Sequence, residues 1–168
     1  MTYPLAKATV LRPIKHRRDG LVLASGAFML LAACTVAGTP EWKVAIFPSG
    51  AEFSLEIAAD DAARARGYMF RDRVGPHEGM LFLFDEPGHH SIWMKNCKVA
   101  LDIIWLDAGF RVVEIAHALQ PCPEKGPCPS TTPMRSASYV LEVAGGAARR
   151  EGLEPGDVIV FLEEPGRD

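Results

Sequence analysis

The sequence predicts a mainly β protein, a single β-sandwich or distorted barrel of short strands with one or two short helices. Three observations carry this. Apolar residues alternate with polar or small ones over several short stretches, 15 Gly and 13 Pro punctuate the chain, and the only helix signals cover a few residues each. A doubly wound α/β fold would need longer crossover helices. With 48% hydrophobic and 23% charged residues, a chain of 168 residues can bury a real core, and that length suits one domain. The formal net charge of -3 argues against a nucleic-acid partner, which requires a basic face.

The elements follow in order. Trp42 to Phe47 and the alternating Phe53, Leu55 and Ile57 predict two strands around Pro48-Ser49-Gly50, an opening hairpin. Asp60 or Asp61 can cap a short helix through Ala62 to Ala65, and Gly67 supplies the backbone on which such helices end. The apolar runs Met80 to Phe84, Ile92 to Met94, Leu101 to Leu106 and Phe110 to Ile115 predict strands. Asp107-Ala108-Gly109 offers a tight turn between the last two, with Gly109 able to take positive φ without a Cβ clash. Tyr139, Leu141 and Val143 resume the alternation. A short helix fits within Gly145 to Gly152, and Glu154-Pro155-Gly156-Asp157 turns the chain into a final strand, Val158 to Leu162.

Residues 1–33 read as an export signal of the lipoprotein type. The basic patch Lys15, His16, Arg17 and Arg18 precedes an uncharged stretch from Leu21 to Ala33, shorter than the roughly 20 apolar residues of a spanning helix. It ends Leu31-Ala32-Ala33-Cys34, a small-residue cleavage site followed by a cysteine placed to receive lipid. Residues 34–42 then form a tether and 43–168 one β-rich domain, held by its anchor on the periplasmic side of a membrane. Cleavage after Ala33 would leave 13 basic and 20 acidic residues, a net charge of -7, so lipid and not a polybasic surface would hold the domain there.

With Cys34 lipidated, Cys97, Cys122 and Cys128 remain. An oxidising compartment favours one disulfide among them, and Cys122 with Cys128 is the closest pair. Cys97 would then be a small buried hydrophobe. No metal site is expected: the separation of the clamp cysteines exceeds that of common zinc knuckles, and extended His89 and His90 would point to opposite faces. No cofactor is expected either, and nucleophilic hydrolysis is unsupported, since neither a Gly-x-Ser-x-Gly elbow nor a Gly-rich phosphate loop occurs.

Six segments occur in one order: Ala65-Arg66-Gly67-Tyr68-Met69-Phe70-Arg71, Glu78-Gly79-Met80-Leu81-Phe82, Trp93-Met94-Lys95-Asn96, Leu101-Asp102-Ile103-Ile104, Tyr139-Val140-Leu141-Glu142-Val143 and Gly156-Asp157. Together they resemble the bacterial and archaeal family catalogued as domain of unknown function 192, over about Val44 to Leu162. The resemblance implies a compact, mainly β domain often carried behind an export signal, and brings no established reaction, cofactor or ligand. Cys97 and Tyr68 depart from the family pattern, which more often has Thr and Leu there.

Within these segments Arg66, Arg71, Trp93, Lys95, Asn96 and Asp102 are the candidate ligand-binding residues. Two arginines flanking a helix end can present forked donors to an anion, and Trp93 offers a flat face to a sugar or aromatic ring. The competing expectation is that Arg66 and Arg71 pair with Glu56, Asp102 or Glu142. Function is accordingly expected to be binding of a small ligand or cell-envelope component. The alternatives are a polysaccharide-acting enzyme using Asp102 and Glu142 as its acid/base pair, and a noncatalytic scaffold.

Overall fold

The computed structural model describes residues 42–163. Residues 1–41, which hold the segment read as an export signal, Cys34 and all but the last residue of the segment read as a tether, lie outside the described residues, as do residues 164–168, and Trp42, read as the end of that tether, begins the first strand. Nine strands and two short helices follow one another: β1 Trp42–Ile46, β2 Glu52–Ala58, α1 Asp61–Arg66, β3 Glu78–Gly88, β4 Ile92–Trp93, β5 Leu101–Leu106, β6 Val112–Leu119, β7 Ser130–Thr131, β8 Ala137–Ala144, α2 Ala147–Arg150 and β9 Val160–Glu163.

Seven strands form one sheet in the order β6-β5-β8-β3-β2-β1-β9, and β4 pairs with β7 in a small second sheet. All neighbours in the large sheet are antiparallel except β2 and β3, which run parallel with Ser54 opposite Glu78 and Ala58 opposite Phe82. A parallel pair cannot be joined by a hairpin. The chain therefore crosses over between Ala58 and Glu78, and α1 lies in that crossover. The sheet curls enough for its two edges to meet. Arg111 forms a bridge with Val158, and the Val112 N–H donates to the Asp157 carbonyl at 2.8 Å, so the start of β6 is joined to the segment entering β9. This is the distorted barrel.

The curl gives the sheet two buried faces. Leu81, Ile104, Leu106, Leu141 and Val143 point into one core with Phe47, Phe53, Ala147, Ala148 and Ile159. Met80, Phe82, Leu101, Ile103, Trp105 and Val140 point into the other, where Tyr68, Ile92 and Met94 cover them. The period-2 geometry of a strand sends neighbours to opposite faces, which is why every residue of β5 is buried. The Trp105 indole N–H donates to the His90 carbonyl at 2.8 Å, tying the loop before β4 onto this second core.

Three local details around the β5–β6 turn and the last strand depart from expectation. In the turn after β5 the residue at positive φ is Phe110 (φ 60), not Gly109. The Asp107 carboxylate accepts the Gly109 and Arg111 N–H groups at 2.8 and 2.9 Å and fixes that geometry, while the Phe110 ring packs against Tyr139 and Phe161. β6 starts at Val112 and runs to Leu119, longer than the apolar run that marked it. β9 starts at Val160 because residues 156–159 are engaged with the edge of β6.

Candidate functional site

The site begins with how α1 ends. Asp60 caps the helix by accepting the Ala63 N–H at 2.7 Å, and Arg64 donates to the Ala59 and Leu83 carbonyls at 2.6 and 2.7 Å, clamping the helix onto β3. The helix stops at Gly67 with φ +44. A Cβ at Gly67 would stand 3.3 Å from Glu142 Oε2 and from Phe82 Cζ, so only glycine lets the chain lie this close over the sheet. The next residue, Tyr68, drops its ring into the second core and is 2% exposed.

Glu142 sits beneath this turn. It alternates with Leu141 and Val143 on β8, yet it is 4% exposed because the Gly67–Tyr68 turn covers it. The Tyr68 backbone N–H donates to its carboxyl. Glu142 Oε2 and the Tyr68 hydroxyl have no hydrogen-bond partner. Burial pushes the Glu142 carboxyl up to about 8, only partly opposed by that N–H and by the charge of Arg71, so at neutral pH it is mainly the uncharged acid. Burial, reinforced by the negative charge of Glu56, also raises the Tyr68 phenol, which stays a neutral hydroxyl.

Both side chains line a cleft of about 220 Å³, together with Arg66, Phe82, Ile92 and Trp93. Cys97 lies in the same wall. Desolvation first and the nearby Glu142 second push its thiol up to about 11, which leaves it a poor nucleophile.

The residues singled out from the sequence fall around this cleft unequally. Arg66 lines it and also a neighbouring cleft of about 580 Å³. Arg71 belongs to that neighbour, where both guanidinium arms meet Glu56, one at 2.7 Å, and its charge lies 4.7 Å above the Tyr68 ring. The hydrogen bond from Arg71 holds the Glu56 carboxyl below its ordinary value. Trp93 separates the first cleft from a third, of about 550 Å³, lined by Lys95, Asn96, Cys97 and the Cys122–Cys128 disulfide. Lys95 Nζ stands 4.9 Å over the Trp93 ring. Asn96, at φ 55, accepts the Phe70 N–H at 2.8 Å through its carbonyl and so joins this loop to the turn after α1.

Asp102 lies elsewhere. It is fully buried on the opposite face of the sheet, where its carboxylate accepts the N–H groups of Ala118, Gly146 and Ala148 at 2.6, 2.9 and 2.8 Å. Because Asp102 and Glu142 project from opposite faces of adjacent strands, they do not flank a shared cleft as an acid/base pair would have to. Among the described residues no three His, Cys, Asp or Glu side chains converge as metal ligands.

Sequence reasoning placed Glu142 in a pair with Asp102 or as an ion-pair partner of Arg66 or Arg71, and treated Tyr68 only as a departure from a pattern. One signal was available for both: each lies in an apolar segment facing the same side of the sheet as Phe82 and Val140.

No curated protein matches this chain. A crystal structure of a protein of unknown function from Novosphingobium aromaticivorans DSM 12444 is 36% identical, with a TM-score of 0.62 over 70% of this chain and 81% of that one. A candidate transcription regulator from Sinorhizobium meliloti 1021 is 28% identical, with a TM-score of 0.63 over 74% of this chain and 98% of that one. Residues 44–161, which span the whole curled sheet but its outermost positions, match the family model DUF192, Uncharacterized ACR, and the chain belongs to that family.

Proposed function

We propose that this protein is exported, tethered to a membrane through lipid on Cys34, and binds a small ligand or cell-envelope component in the cleft over Glu142. The observation that carries the binding reading is the pair of buried, unpartnered polar atoms, Glu142 Oε2 and the Tyr68 hydroxyl, in the wall of an open cleft. Leaving a buried polar group unsatisfied costs about 1–3 kcal/mol. A fold that bears this twice at one place gains it back when a ligand supplies the partners. The structural neighbour described as a regulator invites a nucleic-acid reading, which the acidic balance of the domain opposes.

The test is thermal unfolding of the full chain in mild detergent against saccharides, envelope-derived anions and metals. A ligand at a hundredfold excess over its dissociation constant stabilises by about 2.7 kcal/mol. That shift should shrink in Trp93→Ala, which opens the cleft wall. A shift that Trp93→Ala leaves intact would place the ligand elsewhere. The noncatalytic scaffold is the second reading, favoured by Phe70 and Trp93, which are 60% and 42% exposed around one cleft.

The tether has its own test. Cys34→Ala should move the protein from the membrane fraction to the soluble envelope fraction or leave it unprocessed, as read by fractionation and immunoblotting. Unchanged membrane association and processing would remove the lipid anchor from the proposal.

A further inference from the structure

We infer that the cleft over Glu142 takes an uncharged, hydroxyl-bearing ring of the sugar class, recognised by the Glu142 carboxyl together with the Tyr68 hydroxyl. This rests on the binding reading above and names its ligand class. The geometry selects against the charged alternatives one at a time.

An anion would need cationic donors turned toward it, and most of those nearby are engaged. Arg64 is spread over two carbonyls and Asp61, and Arg71 is bound through both arms to Glu56. Arg66 alone has no such partner among the described residues, so an anion in the cleft would meet a single unengaged cation. A cationic amine or metal ion would meet Arg64 and Arg66 in the cleft, whose one carboxyl, Glu142, is mainly uncharged.

An uncharged ligand avoids both conflicts. The Glu142 acid offers an O–H donor beside a carbonyl acceptor, and the Tyr68 hydroxyl can do either. Neighbouring hydroxyls on a sugar ring present the complementary mixture of donors and acceptors. Phe82, Ile92 and Trp93 supply apolar surface for the C–H faces of such a ring. Size also decides: at about 220 Å³ the cleft is smaller than the roughly 300–1,000 Å³ of sites for drug-sized ligands, which fits one ring and not a long chain.

The groups that face the Glu142 carboxyl are the Tyr68 N–H and hydroxyl from the turn after α1, the Arg71 charge beyond them, and Cys97 from the loop after β4. Arg64 and Arg66 line the same cleft, and Glu56 and Glu78 act on Tyr68. None places a second carboxylate in contact with Glu142. With burial holding the group as the acid to about pH 8, binding should be flat through neutral pH and weaken above that value.

The experiment titrates the full chain in mild detergent with glucose, N-acetylglucosamine, inorganic phosphate and ethanolamine, following binding by calorimetry. Wild type is expected to bind a sugar and neither charged probe. Glu142→Gln keeps a donor and an acceptor and should bind within about threefold of wild type, without the loss above pH 8. Glu142→Leu should bind about tenfold to a hundredfold more weakly while remaining folded. Phosphate or ethanolamine binding without a sugar overturns the ligand class and leaves the cleft standing as a site. Loss of sugar binding in Glu142→Gln as complete as in Glu142→Leu overturns recognition by the neutral acid. No binding of any probe overturns the sugar assignment, and with no hit in the broader stability screen it overturns the binding reading as well.

Discussion

Glu142→Gln is expected to make the protein more stable than wild type in alkaline solution, by an amount that grows with pH between about 4.5 and 8 and then levels off. The carboxyl titrates near its ordinary value of 4.5 in the unfolded chain and at about 8 in the folded one. Below pH 4.5 both states hold the proton and the group adds nothing to the pH dependence. Between the two values the folded protein keeps a proton that the unfolded chain has released, so wild-type stability falls as pH rises. Above about 8 both states are ionised and the loss is complete. At about 1.4 kcal/mol for each pH unit the ceiling is on the order of 5 kcal/mol, and about 3 kcal/mol is the better expectation once water can reach the ionised group through the cleft. Glutamine has the same shape and no charge to desolvate. Urea unfolding of both proteins at pH 5, 7 and 9 measures the difference directly. Stability curves that run parallel across that range would mean that Glu142 is not held as the acid.

Much of the fold can be read from the order of the residues, because its causes are local. Asp60 and Gly67 bracket α1 through groups within a few positions, and Phe53, Leu55 and Ile57 alternate because one face of β2 is buried. The Cys122–Cys128 bond joins neighbours six positions apart. The parallel pairing of β2 with β3 was not legible. It depends on the chain crossing over between them, and a six-residue helix is a faint sign of a crossover.

The site was legible only in part, for a similar reason. Arg66 and Trp93 announce themselves as polar or amphipathic residues set in apolar segments. Glu142 looks in the sequence like an outward carboxylate on a half-buried strand, and its burial comes from a turn 74 positions earlier. Asp102 looks the same in the sequence and has the opposite role, because which face of β5 it occupies is set by its neighbours Leu101 and Ile103 packing into the second core. Two acidic side chains in adjacent strands, one with an unpartnered oxygen and one fully engaged, are separated by register and not by residue type.

That contrast gives the second large effect. Asp102→Ala is expected to destabilise the protein by about 3–5 kcal/mol, enough to unfold a marginal domain of this size. The carboxylate is the acceptor for three backbone donors from two distant segments. The Ala118 N–H comes from the end of β6, where φ is 48, and those of Gly146 and Ala148 come from the first turn of α2. Alanine would leave all three donors without their acceptor beside a core that contains Ala147 and Ala148, with no side chain long enough to replace the carboxylate. Asp102→Asn should cost less. Its single carbonyl oxygen can still accept from Ala118 and Gly146, while its amide nitrogen would face the Ala148 N–H, donor against donor, at about 1–3 kcal/mol. Urea midpoints at pH 7 with an unchanged denaturant slope are the measurement. An Asp102→Ala protein within 1 kcal/mol of wild type would show that these bonds do not anchor α2. The face of the sheet supplies the control: Asp102→Asn should bind whatever occupies the cleft over Glu142 with wild-type affinity per folded molecule, since the two carboxylates belong to different cores.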